Sequence, residues 1–127
     1  MGKFVIRRTA TGVKFDLKAT NGETVATSEV YETEAACRKG IESVRKNGAK
    51  AKLLDLTQPE IKTVTNPKFE LFQDKVGAFR FRLKARNGGV IAVSEGYSTK
   101  AACENGMESV RRNATDGEIE KIGRAHV

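Results

Sequence analysis

Basic side chains alternate along one short segment of the sequence, at Arg80, Arg82, Lys84 and Arg86. Alternate side chains of a β-strand share one face of the sheet, so the pattern predicts a positively charged strip that could bind phosphates, and Lys14 and Lys18 extend it. Sheets that bind single-stranded nucleic acid usually add exposed aromatic rings, for which Phe72 is the one candidate. Weak binding of RNA or single-stranded DNA competes with a simpler interpretation, the solvated half of an amphipathic strand, which we favour.

A second set of polar side chains occurs twice, as Ser28 and Ser94, Glu29 and Glu95, Tyr31 and Tyr97, Glu42 and Glu108, Arg45 and Arg111, and Asn47 and Asn113. Duplicated units duplicate their scaffolding, so we favour a structural role in which glutamate and arginine fasten the third strand to the helix and tyrosine packs against both. The alternative is a pair of symmetry-related ligand or peptide pockets at the strand–helix junctions. Their candidate residues are Tyr31, Glu29 and Arg45 and, in the second copy, Tyr97, Glu95 and Arg111.

Catalysis has little support in the sequence. The single histidine, His126, lies beside the C-terminus, where chains are usually frayed, so it is a poor general base. Cys37 and Cys103 could act as nucleophiles only if exposed beside a base, whereas each lies on the apolar stripe of a predicted helix. The sequence contains no spaced cysteine and histidine cluster for zinc, no calcium-binding loop and no glycine-rich phosphate loop. We expect no enzyme, no metal site and no cofactor.

Composition and charge describe an ordinary globular protein of 127 residues, 39% hydrophobic and 31% charged. The net charge of +7 at pH 7 permits attraction to anionic partners, although a surplus shared by both halves bears first on solubility. No segment approaches the roughly 20 apolar residues of a membrane span, and the first residues lack the apolar run of a secretory signal. We therefore expect a cytoplasmic protein that does not bind membranes and keeps its two cysteines as reduced, buried thiols.

The strands and helices that position these residues belong to one sequence unit that is duplicated. Residues 15–47 and 81–113 are identical at about 20 of 33 positions, at a constant offset of about 66 residues. Upstream, Phe4 aligns with Phe69 only if the first copy lacks one residue near Gly12, opposite Gly77 in the second copy. Gaps belong in turns, so we predict a shortened turn there.

The sequence pattern of each copy predicts three strands, a helix and a fourth strand. Alternating apolar residues indicate two half-buried strands, and Asn21-Gly22 and Asn87-Gly88 favour tight two-residue hairpins after the second. A third strand is expected at 24–30 and 90–95, but the pattern does not show which side chains of it face inward. Fourth strands are expected at 52–57 and 118–122.

Two helices are predicted, one capped by Thr33 or a neighbour and ending at Asn47, the other capped by Ser98 or Thr99 and ending at Asn113, with the asparagines as helix stops. Mid-helix glycine costs about 1 kcal/mol relative to alanine, so Gly40 and Gly106 predict close contact with the sheet or the partner helix. A single unit of about 60 residues buries too little surface to be stable alone. We therefore expect the two copies to join edge to edge, with both helices on one face of the sheet.

The order of motifs resembles the YegP-like family of small bacterial proteins. The resemblance rests on Asn-Gly, then Ser-Glu-x-Tyr, then Ala-Ala-Cys-x-x-Gly-[Ile/Met]-Glu-Ser-Val-Arg-x-Asn, and it covers residues 4–57 and 69–122. It implies tandem β-β-β-α-β repeats that form one antiparallel sheet and exchange their final strands, 52–57 and 118–122. The first copy departs from the pattern in its shortened turn and in Val13-Lys14. The resemblance brings no biochemical activity and no catalytic residues with it.

The sequence thus predicts an α+β protein forming a single pseudo-symmetric domain over residues 1–127. Repeat one is residues 3–57, the connector 58–67, repeat two 68–122 and the tail 123–127. We expect a monomer with internal pseudo-twofold symmetry, because the duplication already supplies the partner surface. The expected function is a non-enzymatic binding or interaction module of unknown ligand, with weak binding of RNA or single-stranded DNA as the alternative.

Overall fold

The computed structural model describes residues 2–61 and 63–121. Over these residues the chain forms, in order, β1 (Lys3–Arg8), β2 (Val13–Lys18), β3 (Thr24–Thr27), α1 (Glu34–Lys50), β4 (Lys52–Asp55), β5 (Lys68–Gln73), β6 (Phe79–Lys84), β7 (Val90–Val93), α2 (Lys100–Asp116) and β8 (Glu118–Lys121). The predicted α+β class and the order of three strands, a helix and a strand in each repeat are confirmed. Residue 122, expected at the end of the last strand, and His126 lie outside the described residues.

The eight strands of the described chain form one sheet in the order β4-β5-β6-β7-β3-β2-β1-β8. The repeats meet at its centre, where β3 and β7 pair antiparallel. At the edges the last strand of each repeat pairs with the first strand of the other, β4 with β5 and β8 with β1. Both edge pairs are parallel, so the expectation of a wholly antiparallel sheet is wrong there. Between β4 and β5, residues 56–67 are long enough to return the chain to the end of the sheet from which a parallel strand must start.

The helices begin where the sequence predicts and end later. The backbone N–H of Ala36 donates to Thr33 Oγ1 at 3.1 Å, and that of Ala102 to Thr99 Oγ1 at 3.0 Å, so both threonines are helix caps. The predicted stops at the asparagines are wrong, because Asn47 Nδ2 donates back to Ser43 O at 2.8 Å, one turn earlier. That bond keeps Asn47 inside the helix and the chain continues to Lys50.

The third strands are shorter than expected and each contains a bulge. Leu17 pairs with Ala26 while the next residue, Lys18, pairs with Thr24, which leaves Val25 as the extra residue. Val25 and Ala26 are consecutive and both belong to the buried core. The same shift follows Leu83 in the second repeat. The bulge explains why the sequence pattern of this strand shows no alternation.

The turns differ from the expected two-residue hairpins. The N–H of Ala19 donates to Glu23 O and that of Gly22 to Ala19 O, each at 2.9 Å, and Gly22 has φ +89°. This is a three-residue loop with glycine in the left-handed position, which leaves Asn21 at negative φ. The predicted shortened turn is confirmed, because Thr9 N bonds Gly12 O across two residues where Asp74 bonds Ala78 across three.

Both helices lie on one face of the sheet over a core drawn from both repeats. Helix α1 contacts α2 and the strands β2, β5, β6 and β7, and α2 contacts β1, β2, β3, β5 and β6. The rings of Phe4 and Phe15 meet edge to face at 5.7 Å, and those of Phe69 and Phe81 repeat this contact. Over the described residues, neither helix has the length and apolar character needed to cross a bilayer.

Mid-helix Gly40 packs against the sheet side of the protein, as its position predicts. A Cβ atom there would lie 2.3 Å from Tyr31 Oη and 3.2 Å from a ring carbon of Phe15. Gly48 in the same helix has room, because its Cβ would meet Val110 Cγ1 at 3.8 Å. The two glycines therefore form a matched pair for substitution.

We predict that Gly40→Ala lowers the free energy of unfolding by about 1–3 kcal/mol, because the Tyr31 ring must move to admit the methyl group. Gly48→Ala should instead raise the free energy of unfolding by about 0.5–1 kcal/mol, because alanine loses less backbone entropy on folding. Urea unfolding followed by circular dichroism measures both changes. Equal effects of the two substitutions would contradict close packing at Gly40.

Candidate functional site

The basic strip, which we define as Arg80, Arg82 and Lys84, lies on β6 and emerges on the sheet face that carries no helix. The intervening Phe81 and Leu83 are buried in the core on the opposite face. Arg86 does not belong to the strip, because β6 ends at Lys84 and Arg86 lies in the following turn. This corrects the prediction of four alternating strand residues.

Lys14 and Lys18 share the face of the basic strip but are not next to it. They lie on β2, and strands β7 and β3 separate β2 from β6. Three strand spacings amount to about 14 Å, so these two lysines form a separate group rather than an extension of the strip.

The cations of the basic strip are paired with carboxylates. Arg82 Nε lies 2.7 Å from Glu70 Oε1 and Lys84 Nζ lies 3.3 Å from the same oxygen, while Arg80 Nε lies 2.7 Å from Asp74 Oδ2. Glu70 is only 5% exposed. Burial alone would raise the pKa of Glu70, but the hydrogen bonds from Arg82 and Lys84 outweigh it and hold that pKa below its usual value. The strip is thus a partly neutralised ion-pair network.

Phe72, the candidate stacking ring, also lies on this face, but Arg82 covers it. The guanidinium carbon of Arg82 is 4.5 Å from the centroid of the Phe72 ring. This cation–π contact and the bond to Glu70 hold the guanidinium in place. A base that stacked directly on the ring would have to displace it.

The duplicated serines have a structural role. Ser28 Oγ accepts a hydrogen bond from the N–H of Phe15 at 3.0 Å and donates to Glu29 O at 2.7 Å. Ser94 does the same for Phe81 and Glu95 at 2.9 and 2.8 Å. Each hydroxyl replaces a carbonyl of the strand ladder, which explains why β3 and β7 end earlier than predicted.

The duplicated arginines join the two repeats. Arg45 of α1 donates to the carbonyl oxygen of Gly117, just before β8, and Arg111 of α2 donates to that of Ala51, just before β4. The guanidinium carbon of Arg45 also lies 5.4 Å from the centroid of the Phe4 ring, and the guanidinium carbon of Arg111 lies 5.5 Å from the centroid of the Phe69 ring. Each arginine pairs with a glutamate of its own helix, Glu42 or Glu108. The expectation that these pairs fasten the third strand is therefore wrong, because they hold the entry to the exchanged edge strands.

The two tyrosines lie at the strand–helix junctions, as predicted. Tyr31 exchanges backbone hydrogen bonds with Val13 at 2.7 and 2.8 Å, and Tyr97 does so with Phe79. Each hydroxyl lies against the mid-helix glycine of its repeat. Burial raises the pKa of both tyrosines, and the nearby carboxylates of Glu29 and Glu95 add to this. Both hydroxyl groups therefore keep their protons at neutral pH and can donate a hydrogen bond.

A groove of about 420 Å³ lies between the loop that joins β2 to β3 in repeat one and helix α2 of repeat two. We call it the hairpin–helix groove. Its polar lining includes Asn21, Glu23, Tyr97, Asn105, Ser109 and Arg112. Of the residues predicted for a ligand pocket, only Tyr97 lines it, whereas Glu95 and Arg111 do not. The charge of Glu23 contributes to the raised pKa of Tyr97, which places the two residues near each other across the groove.

Glu23, Asn105 and Arg112 were not predicted as site residues, because the predicted pocket residues were ones that the two repeats share. These three positions hold Gly89, Lys39 and Lys46 in the other repeat. The signal available in the sequence was therefore the difference between the copies.

The cysteines are free and buried, as predicted. Burial raises the pKa of the Cys103 thiol to about 11, with a further contribution from Glu104 and Asp55. Burial likewise raises the pKa of Cys37. Neither thiol is ionised at neutral pH, so neither is an activated nucleophile.

Comparison with known proteins finds matches over both repeats. A family model described as a domain of unknown function, DUF1508, matches residues 9–55 and 74–120. A UPF0339 protein of Mannheimia succiniciproducens is 41% identical over 108 residues, which cover 85% of this chain and 82% of that protein. A UPF0339 protein of Treponema denticola is 56% identical over 55 residues, which cover 43% of this chain but 95% of that protein, so its length is that of one repeat.

Two solved structures share the fold. The solution structure of yegP from Escherichia coli, described as a protein of unknown function, matches with a TM-score of 0.80 and 31% identity over 98% of this chain and 96% of that chain. A UPF0339 protein of Shewanella oneidensis matches with a TM-score of 0.78 and 30% identity over 98% of this chain and 94% of that one. The predicted resemblance to the YegP-like family is confirmed.

The arginine contacts between repeats predict a specific loss of stability. Arg45→Met keeps an apolar stem over Phe4 but removes the donor to Gly117, and it should lower the free energy of unfolding by about 1.5–3 kcal/mol. Arg38→Met is the matched control, because Arg38 pairs with Glu34 on the exposed surface of the same helix, and it should cost about 0.3–0.5 kcal/mol. Urea unfolding of both variants tests this. Equal losses would show that Arg45 does not join the repeats.

Proposed function

This chain belongs to the DUF1508 family, and we propose that it is a non-enzymatic binding module that holds a small polar ligand in the hairpin–helix groove. The observation that carries the proposal is the set of unpaired polar side chains in this groove. Among the described residues, the side chains of Glu23, Asn105 and Arg112 have no hydrogen-bond or ion-pair partner. They are thus available to a ligand without the loss of an existing contact.

The side chains of the groove favour a ligand that carries both a positive and a negative charge, or an amide group. The Arg112 guanidinium suits a carboxylate, the Glu23 carboxylate suits an ammonium group, and the Asn105 amide both donates and accepts hydrogen bonds. The protonated Tyr97 hydroxyl adds a donor. An amino acid or a short peptide presents these groups together. The proposed ligand class is therefore a zwitterionic or amide-bearing small molecule.

A non-enzymatic role agrees with the state of the reactive groups. Cys37 and Cys103 are buried and protonated at neutral pH, so neither can serve as a ready nucleophile. The groove supplies groups that hold a ligand, namely an arginine, a glutamate, amides and hydroxyls, without a pair arranged as nucleophile and base. Binding is the activity that these residues support.

We predict that amide chemical-shift titration with a set of amino acids and dipeptides gives saturable shifts around Tyr97, Asn105 and the β2–β3 loop. Asn105→Lys, which installs the residue found at this position in repeat one, should abolish those shifts because a flexible cation replaces the amide. Lys39→Asn, the reciprocal exchange in the other repeat, should leave them unchanged. Saturable shifts confined to other surfaces, or no shifts with any dipeptide, would contradict the proposal.

Nucleic-acid binding on the basic strip is the second candidate, favoured by the Arg82–Phe72 stack on a sheet face without helices. The opposing observation is that Arg80, Arg82 and Lys84 already pair with carboxylates. A single-stranded nucleic acid would have to compete with Glu70 and Asp74 for these cations. Affinity on this face should therefore be weak and strongly dependent on salt.

Fluorescence anisotropy of a labelled oligothymidine at low salt tests this second candidate. If the strip binds it, Lys84→Gln should weaken binding and reduce the slope of log affinity against log salt by about 0.7, the value for one phosphate contact on a single strand. Lys50→Gln removes the same charge from the end of helix α1, away from this face, and should have a smaller effect. Equal effects of the two variants would show that binding depends on the net charge alone and would exclude the basic strip as the binding site.

A further inference from the structure

The hairpin of repeat two and helix α1 of repeat one are related to the two walls of the hairpin–helix groove by the pseudo-twofold symmetry. Helix α1 contacts β6 and β7 just as α2 contacts β2 and β3. The loop between β6 and β7 has the same geometry, since Ala85 N bonds Gly89 O at 2.9 Å and Gly88 has φ +88°. Tyr31 lies against Gly40 as Tyr97 lies against Gly106. The pseudo-twofold symmetry therefore places the β6–β7 loop opposite α1, and we call this surface the counterpart groove.

The charge of the counterpart groove differs from that of the first. In the hairpin–helix groove the charges of Glu23 and Arg112 cancel. The equivalent positions of the counterpart groove hold Gly89 and Lys46, Lys39 replaces Asn105, and Arg86 replaces Thr20. Four substitutions between the copies thus convert a neutral lining into one with three cations. Glu29 beside Tyr31 has its equivalent in Glu95 beside Tyr97, so it does not distinguish the two grooves.

The cations of the counterpart groove are available to a ligand. Lys39, Lys46 and Arg86 are exposed, and none of them pairs with a carboxylate among the described residues. The basic strip on the opposite face differs in this respect, because its cations are held by Glu70 and Asp74. The Tyr31 hydroxyl lies against Gly40, the residue after Lys39, and adds a hydrogen-bond donor at this surface.

We propose that the counterpart groove binds a small anionic ligand that carries phosphate or carboxylate groups, so that one chain holds two sites of different charge preference. The proposal rests on the proposed function in one respect, namely that the surfaces between hairpin and helix are ligand sites. The three unpaired cations can provide charge-assisted hydrogen bonds to such a ligand.

Amide chemical-shift titration of the whole chain with inorganic pyrophosphate and, separately, with citrate tests this inference. Saturable shifts are expected in α1 around Lys39 to Lys46 and in the loop around Arg86. Saturable shifts with pyrophosphate but not with citrate would indicate a phosphate ligand. Saturable shifts with citrate but not with pyrophosphate would indicate a carboxylate ligand. Lys39→Asn should weaken the affinity about three- to fivefold, the loss expected for one exposed ionic contact.

Lys75→Asn is the matched control, because it removes the same charge from the exposed turn between β5 and β6 and should leave the affinity unchanged. The inference is overturned if neither probe gives saturable shifts, if the shifts lie on the basic strip, or if Lys75→Asn weakens binding as much as Lys39→Asn. Asn105→Lys separates the two proposals. Loss of dipeptide binding with intact pyrophosphate binding supports both sites, whereas pyrophosphate binding without any dipeptide binding removes only the first.

Discussion

The structure depends on a core that neither repeat can close alone. Each helix packs on strands of both repeats, and the sheet is completed at each edge by a strand from the other half. Arg45 and Arg111 tie the start of those edge strands to the opposite helix. A separated repeat would lose its central neighbour, its outer strand and most of its helix contacts at once.

The sequence predicted those parts of the fold that depend on local pattern. Alternation located the first two strands of each repeat, the threonine and serine residues near 33 and 99 marked the helix starts, and the missing residue near Gly12 marked the shorter turn. Prediction from the sequence failed where a side-chain hydrogen bond or a neighbouring strand overrides the local sequence pattern. Asn47 bonds within its helix instead of ending it, and Val25 is an extra residue in a bulge that only the pairing with β2 creates. The parallel edge pairs depend on contacts between repeats, which no local pattern records.

The candidate site was predicted only in part, for a reason that follows from duplication. Residues kept in both copies hold the fold: Ser28 completes the ladder, Gly40 admits the tyrosine ring, and Arg45 reaches across to the other repeat. Tyr97 was identified because it belongs to this shared scaffold and also lines the groove. Residues free to differ, such as Asn105 and Lys39, face solvent at equivalent positions and give the two grooves their charge. In a duplicated protein, identity between copies therefore indicates architecture, and divergence indicates where binding preferences can be assigned.

The face without helices shows the opposite behaviour, in which the copies differ but charge pairing is retained. In repeat two Glu70 pairs with Arg82, whereas in repeat one Asp16 occupies the place of Arg82 and pairs with Arg7 from the neighbouring strand. Both carboxylates are almost fully buried, and although burial would raise their pKa values, hydrogen bonds from arginine hold them low. A buried carboxylate without its cation would cost several kcal/mol, so the arginines on this face are required for stability. Cations committed in this way are poorly suited to exchange with a ligand. The unpaired Lys39 and Lys46 lie instead on helix α1, which covers the other face of the sheet.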